Sequence, residues 1–280
     1  MVVALLNDRG AHHGTLKVLC LANRPLYGAA VTMRVMTWNV LHRVHAENYS
    51  EPTVALWPDE AARVQAVVQQ VCAAVSEQGC ELVLLQEASG EVVVALRRCL
   101  PGSMSVHTHQ VARMPQLKVK STTSLSDASE HVVVIAPGGS QPLRRQTALD
   151  DAGKGLLAVQ VSEGLVAIST HVSWGQKGVG QMRALQELMK TLPGVVIVGG
   201  DFNTERGEVT AHLGPDLLVT QLTADSPRTR QNPDGQGSDI DHLVCRGAKW
   251  SDVHVVVHPG LSDHHPLFAT LQLGEGEGEG

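Results

Sequence analysis

The sequence predicts an α/β (α+β) protein in which two mixed β-sheets pack face to face and helices cover the outer sides. Short apolar runs typical of strands recur through most of the chain, and amphipathic helical segments interrupt them at irregular intervals. Several neighbouring runs are joined by short turns, which favours antiparallel pairs beside parallel ones. We expect about ten strands and three or four helices from these patterns.

The regular patterns begin and end inside the chain, which predicts three segments. Residues 1–32 have no clear period and are expected to form a disordered leader or an extension. Residues 33–273 contain neither a fixed repeat nor an interior linker, so we expect one domain. The Gly/Glu tail at 274–280 has no apolar residue and is expected to be disordered.

Composition limits the classes of partner. The chain has 280 residues, of which 43% are apolar and 18% charged, so it can form a substantial core. Its formal charge of −6 argues against a protein that holds long duplex DNA by charge alone. Any nucleic-acid partner should therefore be small or contact a local basic patch.

The cysteines indicate free thiols rather than a disulfide framework or a zinc site. Their number is odd and none form a CxxC pair. Buried thiols in a reducing compartment are the expectation for all five, which are Cys20, Cys72, Cys80, Cys99 and Cys245. The start "MVVALLNDRG" lacks the features of a secretory signal, and no apolar run is long enough to span a membrane. We expect a soluble, cytoplasmic monomer.

The first half of the domain predicts two strands and two helices. "MRVMTWNV" alternates as a strand from Met33, and "ELVLLQE" forms a second strand that ends at Glu87. Between them, valines recur at helical spacing after the candidate N-cap Asp59 and stop near Gly79. A second helix is expected near residues 90–99. The polar segment 113–130 predicts a mobile loop.

The second half predicts seven strands and one helix. "HVVVIAPGG", "GLLAVQV" and "LVAIST" are strands, and "VGQMRALQELMKTL" has its apolar residues at helical spacing. "GVVIVGGDFN" is another strand, followed by "DIDHLVCRG", "DVHVVV" and "HPLFATLQL".

Polar residues interrupt six of these strand ends. They are Asn39, Glu87, His171, Asp201 with Asn203, Asp241 with His242, and Asp263 with His264 and His265. Taken singly, each is typical of a turn, a cap or a surface position. Their occurrence together at strand ends favours a catalytic site, because loops held by a rigid sheet commonly carry one.

The residue types suit phosphoester chemistry that depends on a cation. Mg²⁺ prefers carboxylate oxygens, which Glu87 supplies, with Asn39 or Asp263 assisting. An aspartate can orient a water, and amides or imidazoles can donate hydrogen bonds to phosphate oxygens. Gly199 and Gly200 are expected to let the backbone approach a phosphate closely.

The ordered motifs "TWNV", "LLQE", "STHVS", "GGDFN", "DIDH" and "SDHHP" resemble the endonuclease/exonuclease/phosphatase superfamily of deoxyribonuclease-like phosphoesterases. The resemblance runs from Met33 to Leu273 and implies a four-layer α-β-β-α sandwich. It also implies a Mg²⁺-dependent hydrolase, for which Mn²⁺ may substitute.

The resemblance implies a role for each matching residue. Metal-side residues are Asn39, Glu87 and Asp263. Catalytic residues are His171, which stabilises phosphate; Asp201, which orients the attacking water; Asn203, which binds phosphate; His264; and Asp241, which orients His264. His265 is expected to be structural or peripheral. His42 and His45 are expected to lie in a solvated loop, with contact to the substrate as the alternative.

The substrate stays open among three classes. The first is a nuclease or nucleic-acid phosphodiesterase, for which basic clusters at Arg113/Lys118/Lys120, Arg144/Arg145 and Arg228/Arg230 would favour single-stranded or terminal substrates over long duplex. The second is a phosphatase or phospholipase that acts on inositol phosphates or sphingolipids. The third is an inactive binding module, which the complete set of expected residues disfavours.

Overall fold

The computed structural model describes residues 31–118, 125–231, 236–258 and 260–274. The predicted tail at 275–280 and the leader up to residue 30 lie outside these residues, and the predicted domain limits stay a prediction. The helices are α1 (Arg43–Tyr49), α2 (Thr53–Leu56), α3 (Glu60–Ser76), α4 (Gly90–Cys99), α5 (Gly175–Thr191) and α6 (Arg206–Leu213). The strands are β1 (Val31–Asn39), β2 (Leu82–Ser89), β3 (Met104–Gln110), β4 (Glu130–Pro137), β5 (Gln141–Thr147), β6 (Gly155–Ser162), β7 (Leu165–His171), β8 (Val195–Asp201), β9 (Leu218–Val219), β10 (Arg230–Gln231), β11 (Gly237–Ser238), β12 (Asp241–Arg246), β13 (Ala248–Val255) and β14 (Leu267–Leu273).

Two mixed six-stranded sheets form the centre of the fold. The first has the order β13-β14-β1-β2-β4-β3, and the second has the order β5-β6-β7-β8-β12-β9. Each sheet contains one parallel pair, β1 with β2 and β7 with β8, and its other neighbours are antiparallel. The prediction of mixed sheets is confirmed.

Alternating side chains in the strands create the layers. In β1, Val35 points into the core between the sheets, whereas Met36 and Trp38 pack on the side of α3 and α4. On the far side, Ile168 and Val198 pack with Met182 of α5. This arrangement is the predicted four-layer α-β-β-α sandwich.

The predicted N-cap of α3 and the limits of α4 match the structure, whereas α3 ends at Ser76, before the predicted stop at Gly79. Asp59 accepts hydrogen bonds from the backbone N–H groups of Ala61 and Ala62 and caps α3, and α4 spans the predicted range. The strand β1 begins at Val31, two residues inside the predicted leader. The strand β2 continues past Glu87 to Ser89, so the expectation that it ends at Glu87 is wrong.

Sequence patterns missed the elements with weak apolar signals. The strands β3 and β5 are the sequences "MSVHTHQ" and "QPLRRQT", whose residues are largely polar and half-buried or exposed. The short helices α1, α2 and α6 were also not predicted. Within 113–130, the described residues before β4 form neither helix nor strand, and the remainder, including Lys120, lies outside the described residues.

The expectation that all cysteines are free and buried is wrong for one pair. Cys72 on α3 and Cys99 on α4 form a disulfide, and their Cα atoms lie 6.6 Å apart. The two helices pack side by side over the first sheet, which brings the thiols together without any CxxC spacing. Cys80 and Cys245 are free and buried, and Cys20 lies outside the described residues.

Helices long and apolar enough to cross a bilayer do not occur among the described residues.

Candidate active site

The termini of five strands bring predicted side chains to one edge of the sandwich. Asn39 ends β1, and Glu87 lies near the end of its parallel neighbour β2. His171 and Asp201 are register partners at the ends of β7 and β8. Asp241 begins β12 and is paired with Asp201 across the antiparallel ladder.

An irregularity in the backbone sets the direction of the Glu87 side chain. The register of β2 against β4 shifts between Leu85 and Ala88, and Glu87 has a φ of 56°, which is unusual for a side chain larger than glycine. Its Oε2 accepts a hydrogen bond from the backbone N–H of His42 at 3.0 Å. Burial opposes ionisation of this carboxyl, but nearby His45, His171 and Lys154 hold its pKa below the usual range.

Asn39 bridges the two sheets. Its Nδ2 donates to Glu87 Oε1 at 3.2 Å and to Asp201 Oδ2 at 3.1 Å, whereas its Oδ1 accepts from the backbone N–H of Leu41. The amide thus presents its donor face to both carboxylates and its oxygen to the backbone. This geometry favours a positioning role for Asn39 over the ligand role that the resemblance implies.

Asp201 is ionised and held in a fixed direction. Its Oδ1 accepts from the backbone N–H of Asn203 at 2.9 Å, and its Oδ2 lies 3.3 Å from His171 Nε2 and 3.8 Å from His264 Nε2. Burial would raise its pKa, but the two imidazoles outweigh burial and lower it. Asn203 adopts a left-handed φ of 51°, and its Nδ2 donates to the carbonyl of Val172.

His264 and Asp241 form a buried imidazole–carboxylate pair. His264 Nδ1 lies 2.8 Å from Asp241 Oδ2, which leaves Nε2 directed toward Asp201 and Asp263. Although burial disfavours the charged imidazole, Asp241, Asp263 and Asp201 raise its pKa to about 10. Burial also raises the pKa of Asp241, and at neutral pH the shared proton resides on His264.

His171 lies between the two sheets and contacts a lysine that sequence patterns did not reveal. Its Nε2 is in contact with Lys154 Nζ and lies 3.8 Å from Glu87 Oε1. Its Nδ1 lies 3.9 Å from Glu130 Oε1. Lys154 precedes β6 in a turn, where no motif or apolar period marks it.

Asp263 is neutralised by an arginine. Its Oδ2 accepts from Arg230 Nε at 3.1 Å and lies 3.8 Å from His264 Nε2. Arg230 belongs to one of the basic clusters noted in the sequence, although the strand pairing that brings it to the site, a bridge with His264, was not predictable.

These groups line or adjoin a cavity of about 610 Å³. Six of the eight predicted residues line it, and Asn39 and Asp241 lie directly behind, hydrogen-bonded to Asp201 and His264. All eight are buried. Further lining residues absent from the predicted set include Glu51, Tyr49, Arg113, Lys154, Trp174 and Lys177.

Three sequence expectations around the site need correction. A side chain on Gly199 would collide with Leu84 of the facing sheet, and one on Gly200 would collide with the Thr170 carbonyl of the adjacent strand. These glycines therefore serve packing between strands and sheets, not the approach of a phosphate.

The other two corrections concern histidines. The predicted solvated loop after Asn39 is the helix α1, where His42 is buried and accepts from the Val44 N–H as the N-cap. His45 is half-buried, and its Nε2 lies 2.9 Å from Glu130 Oε2. His265 is buried, and its backbone N–H donates to the carbonyl of Thr229, in keeping with a structural role.

The donor set fits a divalent cation. Two groups of His and carboxylate side chains have ligand atoms within 4.8 Å of one another: His45, Glu87 and Glu130 in one, and Asp201, Asp241 and His264 in the other. Carboxylate oxygens predominate in the cavity, as hard cations require. The pairing of Asp241 with His264 makes the second group less suited to a cation than the region around Glu87.

Comparisons with known proteins agree with the fold and show the family. The model of the Endonuclease/Exonuclease/phosphatase family matches residues 36–264. No curated protein matches the chain. Among solved structures, D. rerio TDP2 complexed with a single-strand DNA product is 16% identical at a TM-score of 0.60 and covers 86% of this chain and 98% of its own.

Two further solved structures have the same fold. The human Nocturnin catalytic domain with a bound sulfate anion is 16% identical at a TM-score of 0.61, with 87% of this chain and 96% of that chain covered. A family protein from Bacteroides thetaiotaomicron is 14% identical at a TM-score of 0.62, with 88% and 100% covered.

Proposed function

The chain belongs to the Endonuclease/Exonuclease/phosphatase family, and on this premise we propose that it is a metal-dependent phosphodiesterase that hydrolyses nucleic-acid phosphodiester or terminal phosphoester bonds. One observation carries the proposal. Ionised Asp201 and the charged His264–Asp241 pair face the same cavity as Glu87, so a water, a phosphate and a cation can meet there. Water is the proposed nucleophile: its oxygen bonds to phosphorus as the bond to the leaving oxygen breaks. One proton of the water passes to bulk solvent, and the leaving oxygen takes the proton of His264 Nε2.

Glu87 would hold the cation, which is Mg²⁺ or Mn²⁺. Asp263, the second ligand that the resemblance implies, would have to exchange its ion pair with Arg230 in order to join it. When bound there, the cation neutralises charge on the phosphate and its leaving oxygen. Asn39 keeps the Glu87 carboxylate in place through its Nδ2 hydrogen bond.

Asp201 positions the attacking water. Because its pKa is low, it is a poor proton acceptor and a good hydrogen-bond acceptor, so its main contribution is to fix the direction of attack. The hydrogen bonds from Asn39 and the Asn203 backbone prevent it from rotating away.

Donors around the cavity stabilise charge that develops on the phosphate oxygens. His264 Nε2–H is cationic and oriented by Asp241, and Asn203, His171 and Lys154 add neutral and charged donors from the second sheet. Fixed donors of this kind cost no reorganisation when the pentacoordinate arrangement forms.

Single-stranded or terminal nucleic acid is the proposed substrate class. The net charge of −6 disfavours binding along a duplex, whereas Lys154, Lys177 and Arg230 supply cationic groups at the cavity itself. The single-strand DNA product on the TDP2 neighbour and the sulfate on the Nocturnin neighbour are consistent with an anion-binding cavity in this fold.

A substrate panel tests the proposal. Single- and double-stranded DNA, RNA, 3′-blocked ends, inositol phosphates and sphingomyelin are each incubated with Mg²⁺, with Mn²⁺ and with EDTA. We expect hydrolysis of single strands or strand ends, abolished by EDTA and restored by either cation. A His264→Ala preparation purified in parallel controls for contaminating nucleases.

Several outcomes would overturn the proposal. Full activity in EDTA would contradict the requirement for a cation. Turnover by His264→Ala equal to that of the natural protein would contradict the assigned site. Hydrolysis confined to inositol phosphates or sphingomyelin moves the protein to the second substrate class. Absence of any hydrolysis identifies an inactive binding module.

A further inference from the structure

Two exposed aromatic rings line the cavity of a chain that has few aromatic residues. The chain contains four Trp, two Tyr and two Phe. Trp38, Phe202 and Phe268 are fully buried, as large rings usually are when they serve the core. Tyr49 is 64% exposed and Trp174 is 59% exposed, and they are the only aromatics among the strongly exposed large apolar side chains of the described residues.

Each sheet contributes one of these rings beside its own catalytic groups. Tyr49 is the last residue of α1, which follows β1 and Asn39 in the first sheet. Trp174 precedes α5 and lies three residues after His171 of the second sheet. Both rings line the same cavity as Glu87, Asp201 and His264, so a ligand at the catalytic groups has an aromatic surface available from either sheet.

Cationic side chains accompany both rings. Lys118 Nζ lies 4.8 Å from the centre of the Tyr49 ring, and Lys177, on the first turn of α5, lines the cavity together with Trp174. Exposed rings interleaved with Lys and Arg are the surface that single-stranded nucleic acids bind, because bases stack on the rings and phosphates meet the cations.

We propose that Tyr49 and Trp174 stack with unpaired bases next to the scissile phosphate. This inference rests on the proposed function and specifies its substrate as a strand with exposed bases. A duplex keeps its base faces stacked on one another and cannot offer them, and an inositol phosphate has no flat ring. A sphingolipid would require an aliphatic surface near the catalytic groups, whereas Leu41 is the only aliphatic side chain among the described residues that line the cavity.

Paired substrates separate base stacking from phosphodiester chemistry. One is an oligothymidylate and the other is a strand of equal length built from abasic tetrahydrofuran spacers, which has the same charge and no bases. We expect the natural protein to cleave the oligothymidylate with the higher kcat/KM. In Trp174→Ala this preference should fall about 5- to 150-fold, which is the range that the loss of one base–aromatic stack produces.

Matched variants identify the cause of any loss. Trp174→Phe keeps a ring and should keep most of the preference, and Tyr49→Ala should reduce it as Trp174→Ala does. Leu56→Ala removes an apolar side chain that is 61% exposed outside the cavity and should leave both substrates unaffected. Melting temperatures of all variants establish that each one is folded.

The outcomes distinguish this inference from the proposed function. If the natural protein cleaves neither strand and no nucleic acid of the substrate panel, the proposed function fails; if it cleaves only RNA, the strand pair is replaced by an oligouridylate and its abasic analogue. If it cleaves both equally well, or if Trp174→Ala and Tyr49→Ala retain the preference, the stacking inference fails while the nuclease proposal stands. Hydrolysis of sphingomyelin vesicles that depends on Trp174, without cleavage of either strand, overturns both.

Discussion

Two clusters of buried polar side chains lie next to the end of β1, and they differ in how completely their hydrogen bonds are satisfied. One surrounds Arg63 on α3, and the other is the candidate active site around Asp201 and His264. Both are charged and both are shielded from water. The difference lies in what their polar atoms meet.

The Arg63 cluster is closed. All five guanidinium N–H donors have partners: two reach the Glu60 carboxylate at 2.8 and 2.6 Å, and three reach the carbonyls of Val40, Leu41 and Leu261 at 2.7–3.0 Å. The cluster has no capacity left for a ligand. It ties the chain after β1 to the segment before Asp263, and so holds two catalytic loops together.

The active-site cluster is open. His171 Nδ1 and Asp241 Oδ1 are buried without a hydrogen-bond partner among the described residues. Leaving such atoms unpaired costs about 1–3 kcal/mol each. In the active-site cluster a substrate, water or ion can complete the network, whereas in the Arg63 cluster every guanidinium donor is already used.

The largest effect should come from the open cluster. Asp201→Asn preserves shape but removes the charge that orients water and faces two imidazoles. We expect kcat to fall at least about 10²-fold, which is the effect of a misplaced reactant, while the melting temperature changes little because no core packing is lost. Steady-state kinetics on the best substrate of the panel, with calorimetry alongside, measure both quantities. A variant that retains the natural kcat would remove Asp201 from the mechanism.

A substitution in the Arg63 cluster should reduce the stability of the protein and leave kcat largely unchanged. Arg63→Met removes the arginine that contacts both oxygens of buried Glu60, leaving only Arg43 at 3.6 Å, and it frees three carbonyls. We therefore expect a loss of about 3–5 kcal/mol in the free energy of unfolding. The folded fraction should keep most of its kcat. Urea denaturation compares it with Arg98→Met, an exposed arginine on α4 whose loss should have little effect. Equal stability of the two variants would contradict a structural role for Arg63.

The two clusters also differ in how many of their residues and contacts the sequence predicts. The positions of Asn39, Glu87, His171, Asp201 and Asp241 at strand ends follow from patterns read along the chain, since apolar runs stop there. The layered fold follows from the same runs. Such patterns carry no information about a lone cation in a turn, which is why Lys154 was missed.

Long-range pairing explains the other misses. Arg63 lies on the buried face of α3 among valines, and its partner Leu261 is 198 residues away. The strands β3 and β5 lie at sheet edges, where half-exposed polar side chains remove the apolar alternation. Gly199 and Gly200 were assigned to phosphate binding because glycines near a polar turn suit both phosphate approach and close packing. The sequence does not show the neighbouring strand and facing sheet that identify packing as their role.

The smallest effect is expected for Asp241→Asn, which tests how Asp241 orients His264. Asp241→Asn keeps an oxygen that can accept from His264 Nδ1 but removes the negative charge that stabilises the imidazolium. We expect kcat to fall about 10- to 100-fold, as for other residues that orient a catalytic group, with KM nearly unchanged. Asp241 lies behind His264 and outside the cavity lining, so it does not bind substrate. Its burial cost falls at the same time, because an amide is cheaper to bury than a carboxylate. The melting temperature should therefore stay level or rise. If kcat falls only in proportion to a loss of stability, Asp241 has a structural role like that of Arg63.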